Sequence, residues 1–236
     1  MNEIINIVQK IHKENKLYCD KKCPFPFHVE TNNDDSKITV ITGDNASGKS
    51  LFVKDFKNCA KKFFGIKPIV VSIRERLNPS SSNEVEKRRI FSFNDESNKS
   101  TGVSSLEIIK KSLSTLGQWG KEDKTMLILD EPETGLAQSY EYALGQYIAD
   151  NMKSQQNNPN IAGIVIVSHS KNLVKGIFES GCNMSFVYMG KEPLTVNDWI
   201  NSEDQKTVDD LILLMEKGNK KYEEVEAISQ KYKRSI

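Results

Sequence analysis

The run Gly43-Asp44-Asn45-Ala46-Ser47-Gly48-Lys49-Ser50 fits the spacing G-x-x-x-x-G-K-[ST]. Residues of these types in this order suit one task, holding a chain of phosphates. Glycines let the backbone close tightly around an anion, and the N–H groups of the loop then point inward as a nest. A helix that begins where the loop ends adds the partial positive charge of its N-terminus. Lys49 reaches the β- and γ-phosphates, and the Ser50 hydroxyl is placed to ligate magnesium. A second group lies downstream. Four apolar residues, Met126 to Leu129, run into Asp130-Glu131-Pro132. Such a run is a buried strand, so Asp130 emerges at the carboxyl end of a sheet, where a phosphate loop also lies. There Asp130 is suited to hold magnesium, and Glu131 to orient and deprotonate an attacking water.

These groups need elements to position them. Lys37–Thr42 is predicted as a strand from its β-branched residues, and Lys49–Phe64 as the helix that follows the loop. Further strands are expected at Ile69–Ile73, Met126–Leu129, Ile161–Val167 and Met184–Met189, with a short one within Phe25–Thr31. Helices are expected at residues 2–17, Ser104–Leu116, Ala137–Lys153 and Asn172–Glu179, and in a charged C-terminus over Val208–Met215 and Tyr222–Lys233. Residues 84–100 are polar with little apolar period. Strands alternating with helices predict an α/β fold, a mostly parallel sheet with helices on both faces.

The chain has 236 residues, enough for one domain with an inserted subdomain. With 33 basic and 32 acidic residues its net charge is +1, which gives no electrostatic drive toward nucleic acid or a membrane surface. No apolar run approaches the ~20 residues that span a bilayer. The opening segment has isoleucines at helical spacing interrupted by charge, without the unbroken apolar centre of a secretory signal. The expectation is a cytoplasmic protein. The cysteines are Cys19, Cys23, Cys59 and Cys182. Cys19 and Cys23, with His12 and His28 nearby, would offer zinc a pair, but no second C-x2-C pair exists, and reduced thiols are the simpler reading.

The pattern Leu129-Asp130-Glu131-Pro132 after an apolar strand resembles the second motif of ABC ATPases, a superfamily that includes transporter motors and soluble members of the SMC, Rad50 and RecN kind. A third motif agrees: Ile164 to Val167 ends in Ser168-His169-Ser170, similar to the family's switch histidine, which contacts the γ-phosphate. The family acts as head-to-tail dimers in which each phosphate loop meets a signature segment of the other subunit. Ser100-Thr101-Gly102-Val103-Ser104-Ser105 resembles that signature, with Ser104 or Ser105 expected to cap the helix that follows. By this resemblance Ser100, Gly102 and Ser104 would complete the partner's site. The match runs from about Ile38 to Met189. It is closest to small stand-alone ATPases with a Ser-x-Gly-x-Ser signature and an Asp-Glu-Pro-Glu run.

The resemblance implies an ABC-type P-loop ATPase, residues 1–236 as one domain. It would have a short antiparallel β element, a helical signature-bearing subdomain over 75–120 and a helical segment over 198–236. There are departures. The family's lid glutamine is missing, and Glu75 is the expected substitute. Ala137 stands where an aspartate is usual. Tyr18, Phe25 and Phe27 are the candidates for stacking on adenine, although core packing suits the two phenylalanines better. The implied ligands are ATP and Mg²⁺. The implied function is hydrolysis that drives ATP-dependent dimerisation, with the work done on an unidentified partner protein. A DNA-repair or phage-defence ATPase acting on nucleic acid is the alternative, and a transporter motor a more distant one. Whether the closed dimer forms with itself or with a related chain stays open.

Overall fold

The computed structural model describes residues 3–31, 35–72, 100–119, 123–203 and 205–233. The chain opens with α1 (Glu3–Glu14) and a single turn α2 (Lys16–Cys19), then β1 (His28–Thr31), β2 (Ile38–Gly43), α3 (Lys49–Phe64) and β3 (Lys67–Ser72). There follow α4 (Thr101–Trp119), β4 (Thr125–Asp130), α5 (Gln138–Ser154), β5 (Ile161–Val167), α6 (Lys171–Glu179) and β6 (Met184–Met189). The last elements are α7 (Val196–Asn201), α8 (Val208–Ile212) and α9 (Leu214–Lys233).

The strands form one sheet in the order β1-β6-β2-β5-β4-β3. Every neighbouring pair is parallel except β1 with β6. Alternate residues of each strand feed two cores. Val40, Leu127, Leu129, Ile164, Ile166 and Phe186 face one core, which α4, α5, α6 and α7 cover. Ile41, Met126, Ile128, Val165 and Val187 face the other, under α1 and α3. Covered on both sides, β2 and β5 are buried along their whole length, which is why they read as continuous apolar runs.

Some boundaries differ from the sequence expectation. The first helix stops at Glu14, because Asn15 adopts extended backbone and its side chain accepts the Leu17 amide at 3.0 Å, starting α2. The helix expected from Ser104 begins at Thr101, so neither Ser104 nor Ser105 is its cap. Ser100 precedes it, and its Oγ accepts the Val103 amide at 3.4 Å. Ile108, Ile109, Leu113 and Leu116 of α4 lie in the same core as the sheet. Helix α7 begins two residues before the helical segment expected over 198–236; Thr195 caps it, and it buries Val196 and Trp199.

The C-terminal segment is more than a solvated helix. Ile228 of α9 is buried and Val225 packs on the α1–α3 side of the sheet. Lys231 and Tyr232 both bond Asp20, just after α2. Among the described residues no helix is long and apolar enough to cross a membrane.

Candidate functional site

Strand β5 lies between β2 and β4, so the carboxyl ends of three adjacent strands bring the three motifs together. Hydrogen bonds tie these ends to one another. The Ser168 amide donates to Ile41 O at 3.1 Å, Thr42 Oγ1 donates to Ser168 O at 2.9 Å, and the Glu131 amide donates to Val167 O at 2.8 Å.

The phosphate loop leaves β2 at Gly43 and enters α3 at Lys49. At the helix cap Gly48 has φ +93°, and a Cβ there would lie 2.5 Å from the Phe25 ring, so no other residue fits without displacing it. The Lys49 ammonium folds back and donates to Gly43 O and Asp44 O, both at 2.8 Å. Burial lowers its pKa from 10.5 to about 8, partly opposed by the carboxylates of Glu131, Asp44 and Asp130. Asp44, Asn45, Ala46 and Ser50 are exposed, while Ser47 is buried.

Among the described residues, the non-glycine positions with positive φ are Ala46 at 56° and Glu131 at 49°. One sits in the phosphate loop and the other is the second acid of the carboxylate pair. Left-handed backbone costs an ordinary residue on the order of 1–3 kcal/mol and persists where the surroundings over-determine it, typically at functional sites. The Glu131 carboxylate lies 3.7 Å from His169 Nε2, with the two side chains 19% and 35% exposed. Asp130 accepts a hydrogen bond from Ser72 at 3.1 Å.

Sequence reasoning gave no role to Glu133. Its Oε1 accepts from Ser168 Oγ at 2.8 Å and from the His169 amide at 3.1 Å. Its Oε2 is shielded from solvent without a partner. Burial pushes its pKa up, against the hydrogen bonds to its own amide, to Ser168 and to His169. The next residue, Ser170, caps α6 by accepting the Leu173 amide at 2.9 Å, and its hydroxyl donates to Glu141 at 2.7 Å.

The N-terminal turn of α4 presses on the loop that carries Glu131. A Cβ on Gly102 would lie 2.6 Å from Gly135 O, and Ser105 Oγ is 3.0 Å from Thr134 O. This packing turns Ser104 inward: it is 3% exposed and its hydroxyl has no partner. Ser104, expected to reach a second subunit, is thus enclosed within its own chain, whereas Ser100 is exposed. Glu75 lies outside the described residues. Phe25 and Phe27 are buried, and Tyr18 packs edge-on to Phe27 and Phe52 with its hydroxyl enclosed. All three rings pack into the core under α1 and α3.

The C-terminal helices add contacts to the outer side of the phosphate loop. Lys221 donates to Ala46 O at 3.0 Å and lies over the Phe25 ring, and Lys206 pairs with Asp44 at 3.2 Å.

A hard, oxygen-seeking cation fits the donor set of Ser50 and Asp130. Among the described residues no three His, Cys, Asp or Glu side chains cluster to cage a metal.

No protein family's sequence profile matches the chain, and no curated protein does. Among solved structures, that of the Aeropyrum pernix ORC2 protein, determined as ADPNP–ADP complexes, aligns with a TM-score of 0.34 at 14% identity. The alignment covers 65% of this chain and 42% of that one, so this chain spans less than half of the ORC2 length. A likeness of that size has no weight for fold or function, and the functional reading rests on the site itself.

Proposed function

We propose that this chain is an ATPase of the ABC type, which binds ATP with magnesium, hydrolyses it, and dimerises in its ATP-bound form. The observation that supports it is the meeting of the phosphate loop, Asp130-Glu131 and His169 at one end of the sheet, with Glu131 and His169 3.7 Å apart.

In this reading the loop amides and Lys49 bind the phosphate oxygens and offset charge that grows on them during transfer. Ser50 and Asp130 would hold magnesium, which supplies further neutralisation of the β- and γ-oxygens when bound. Glu131 accepts a proton from the attacking water. The water oxygen bonds to the γ-phosphorus as the bridge to the β-phosphate breaks, giving ADP and phosphate. His169 hydrogen-bonds the γ-phosphate and keeps the water in line. Ser100 and the first-turn amides of α4 would reach the γ-phosphate in a second copy, while Gly102 lets that turn sit close to its own Glu131 loop.

The test is the solution mass of purified Glu131→Gln with ATP and magnesium, compared with ADP and magnesium. Binding without turnover, and a dimer with ATP alone, is the expected result. A monomer in both states with ATP demonstrably bound rejects self-association. Lys49→Ala is expected to lose ATP binding by at least about tenfold, since charge-assisted phosphate contacts contribute roughly 1.5–3 kcal/mol each. Retained affinity in that variant would reject the phosphate loop as the binding site.

A further inference from the structure

We propose that Glu133 is a positioning residue for hydrolysis, holding the His169 peptide against the loop that carries Glu131 and so setting the spacing of the two groups that would flank the attacking water. This assignment rests on the hydrolytic reading above.

The strand ends are fixed without Glu133. Ser168 is held by Ile41 and Thr42, and Glu131 by Val167. These bonds stop at the Ser168 carbonyl, however, and the His169 amide lies beyond them. Glu133 Oε1 is the acceptor for that amide, at 3.1 Å, and also takes the Ser168 hydroxyl at 2.8 Å. Glu133 is in turn tied to the Glu131 loop, since the Thr134 amide donates to Glu131 O at 3.1 Å and the Leu136 amide to Glu133 O at 3.0 Å. One oxygen therefore joins the backbone of His169 to the turn that holds Glu131 in left-handed conformation.

Packing alone gives a poor account of the residue. A side chain needed only for volume would be apolar, because a shielded oxygen such as Oε2 loses its hydration without return. What a hydrocarbon lacks is an acceptor for two converging donors. A glutamine carbonyl oxygen can serve as that acceptor, whereas alanine cannot. The geometry therefore separates the two substitutions.

The experiment compares wild type, Glu133→Ala and Glu133→Gln by equilibrium ATP binding, single-turnover hydrolysis, thermal midpoint and the NMR resonances of the His169 ring in nucleotide-free protein. Glu133→Ala is expected to keep ATP affinity within about threefold, since its loss falls on the transition state. Its single-turnover rate should fall on the order of 100-fold, the effect of an ångström-scale misplacement of a catalytic group. Its His169 resonances should shift. Glu133→Gln should restore the resonances and most of the rate. Wild-type turnover in Glu133→Ala overturns the assignment, as do unmoved His169 resonances. A parallel loss of rate, ATP affinity and thermal midpoint in both variants overturns it too, because that is a folding defect. A wild-type chain that binds ATP and never turns over rejects hydrolysis itself, and the binding and turnover arms distinguish that outcome from a failure confined to Glu133.

Discussion

Lys49 shows how one residue serves both the fold and the proposed ligand. Its side chain is buried, and that burial lowers its pKa from 10.5 to about 8. The folded value lies below the unfolded one, so between about pH 8 and 10.5 the unfolded chain binds more protons than the native one. Stability from this group therefore rises with pH through that window, and below it the native state bears the cost of a buried charge. A bound triphosphate reverses the preference by supplying negative charge around the ammonium. We expect ATP binding to take up a proton above about pH 8, with affinity falling toward tenfold per pH unit as Lys49 loses its charge in the free protein. Calorimetry in buffers of different ionisation enthalpy measures the uptake. An affinity that is flat from neutral to strongly alkaline pH would show either that Lys49 does not meet the phosphates or that burial does not lower its pKa in the free protein.

At the scale of elements, the placement of His169 depends on how closely two helices cross. Gly145 of α5 and Gly176 of α6 sit at the crossing, where an added Cβ would lie 2.1 Å from Leu173 O and from Tyr142 O respectively. Backbone cannot yield as a flexible side chain can, so Gly145→Ala should push α6 outward at a cost of about 1–3 kcal/mol. A lowered thermal midpoint is the expected readout, and hydrolysis should weaken as well, since Ser170 both follows His169 and caps α6. An unchanged midpoint would mean that the crossing relaxes freely. None of this was legible in the sequence, where both glycines look like faults in ordinary helices. The strands were legible, because runs covered on both faces contain little but Ile, Val, Leu and Met, and β5 and β6 fall at the predicted residues. Helix α3 was legible because glycines at 48 and 65, both in left-handed backbone, punctuate each end. The first turn of α4 was misread as loop, since Ser, Thr and Gly favour loops and only the tertiary contact of Gly102 with Gly135 turns that segment into helix. Helix α7 has too few turns to show a period. Asp130, Glu131 and His169 were legible as polar residues closing apolar strands. Glu133 was not, because its partners lie on a different strand end and only the folded sheet aligns them.

At the scale of the molecule, the C-terminal segment closes a loop of contacts that the local patterns do not reveal. It joins the end of the chain to Asp20, to the core through Val225, and to the phosphate loop through Lys221 and Lys206. The charged links are partly exposed, and solvent screening leaves such pairs little net contribution. Attachment must therefore come chiefly from the apolar residues, of which Ile228 is 6% exposed. The rest of this segment offers little to hold it, because Val208, Leu211, Ile212 and Met215 face water. Ile228→Asp places a carboxylate in an apolar contact and is expected to release α9 without unfolding the sheet, since β2 and β5 draw their burial from other elements. Hydrogen exchange followed by mass spectrometry resolves the outcome by region. Faster exchange in α9 and in residues 43–48, with β2 and β5 still protected, would show that the tail steadies the phosphate loop in the free protein. Faster exchange in α9 alone would mean that the loop keeps its shape unaided, from Gly48 against Phe25 and from Lys49 on its carbonyls. The Lys221 and Lys206 contacts would then be consequences of the loop geometry rather than contributors to it.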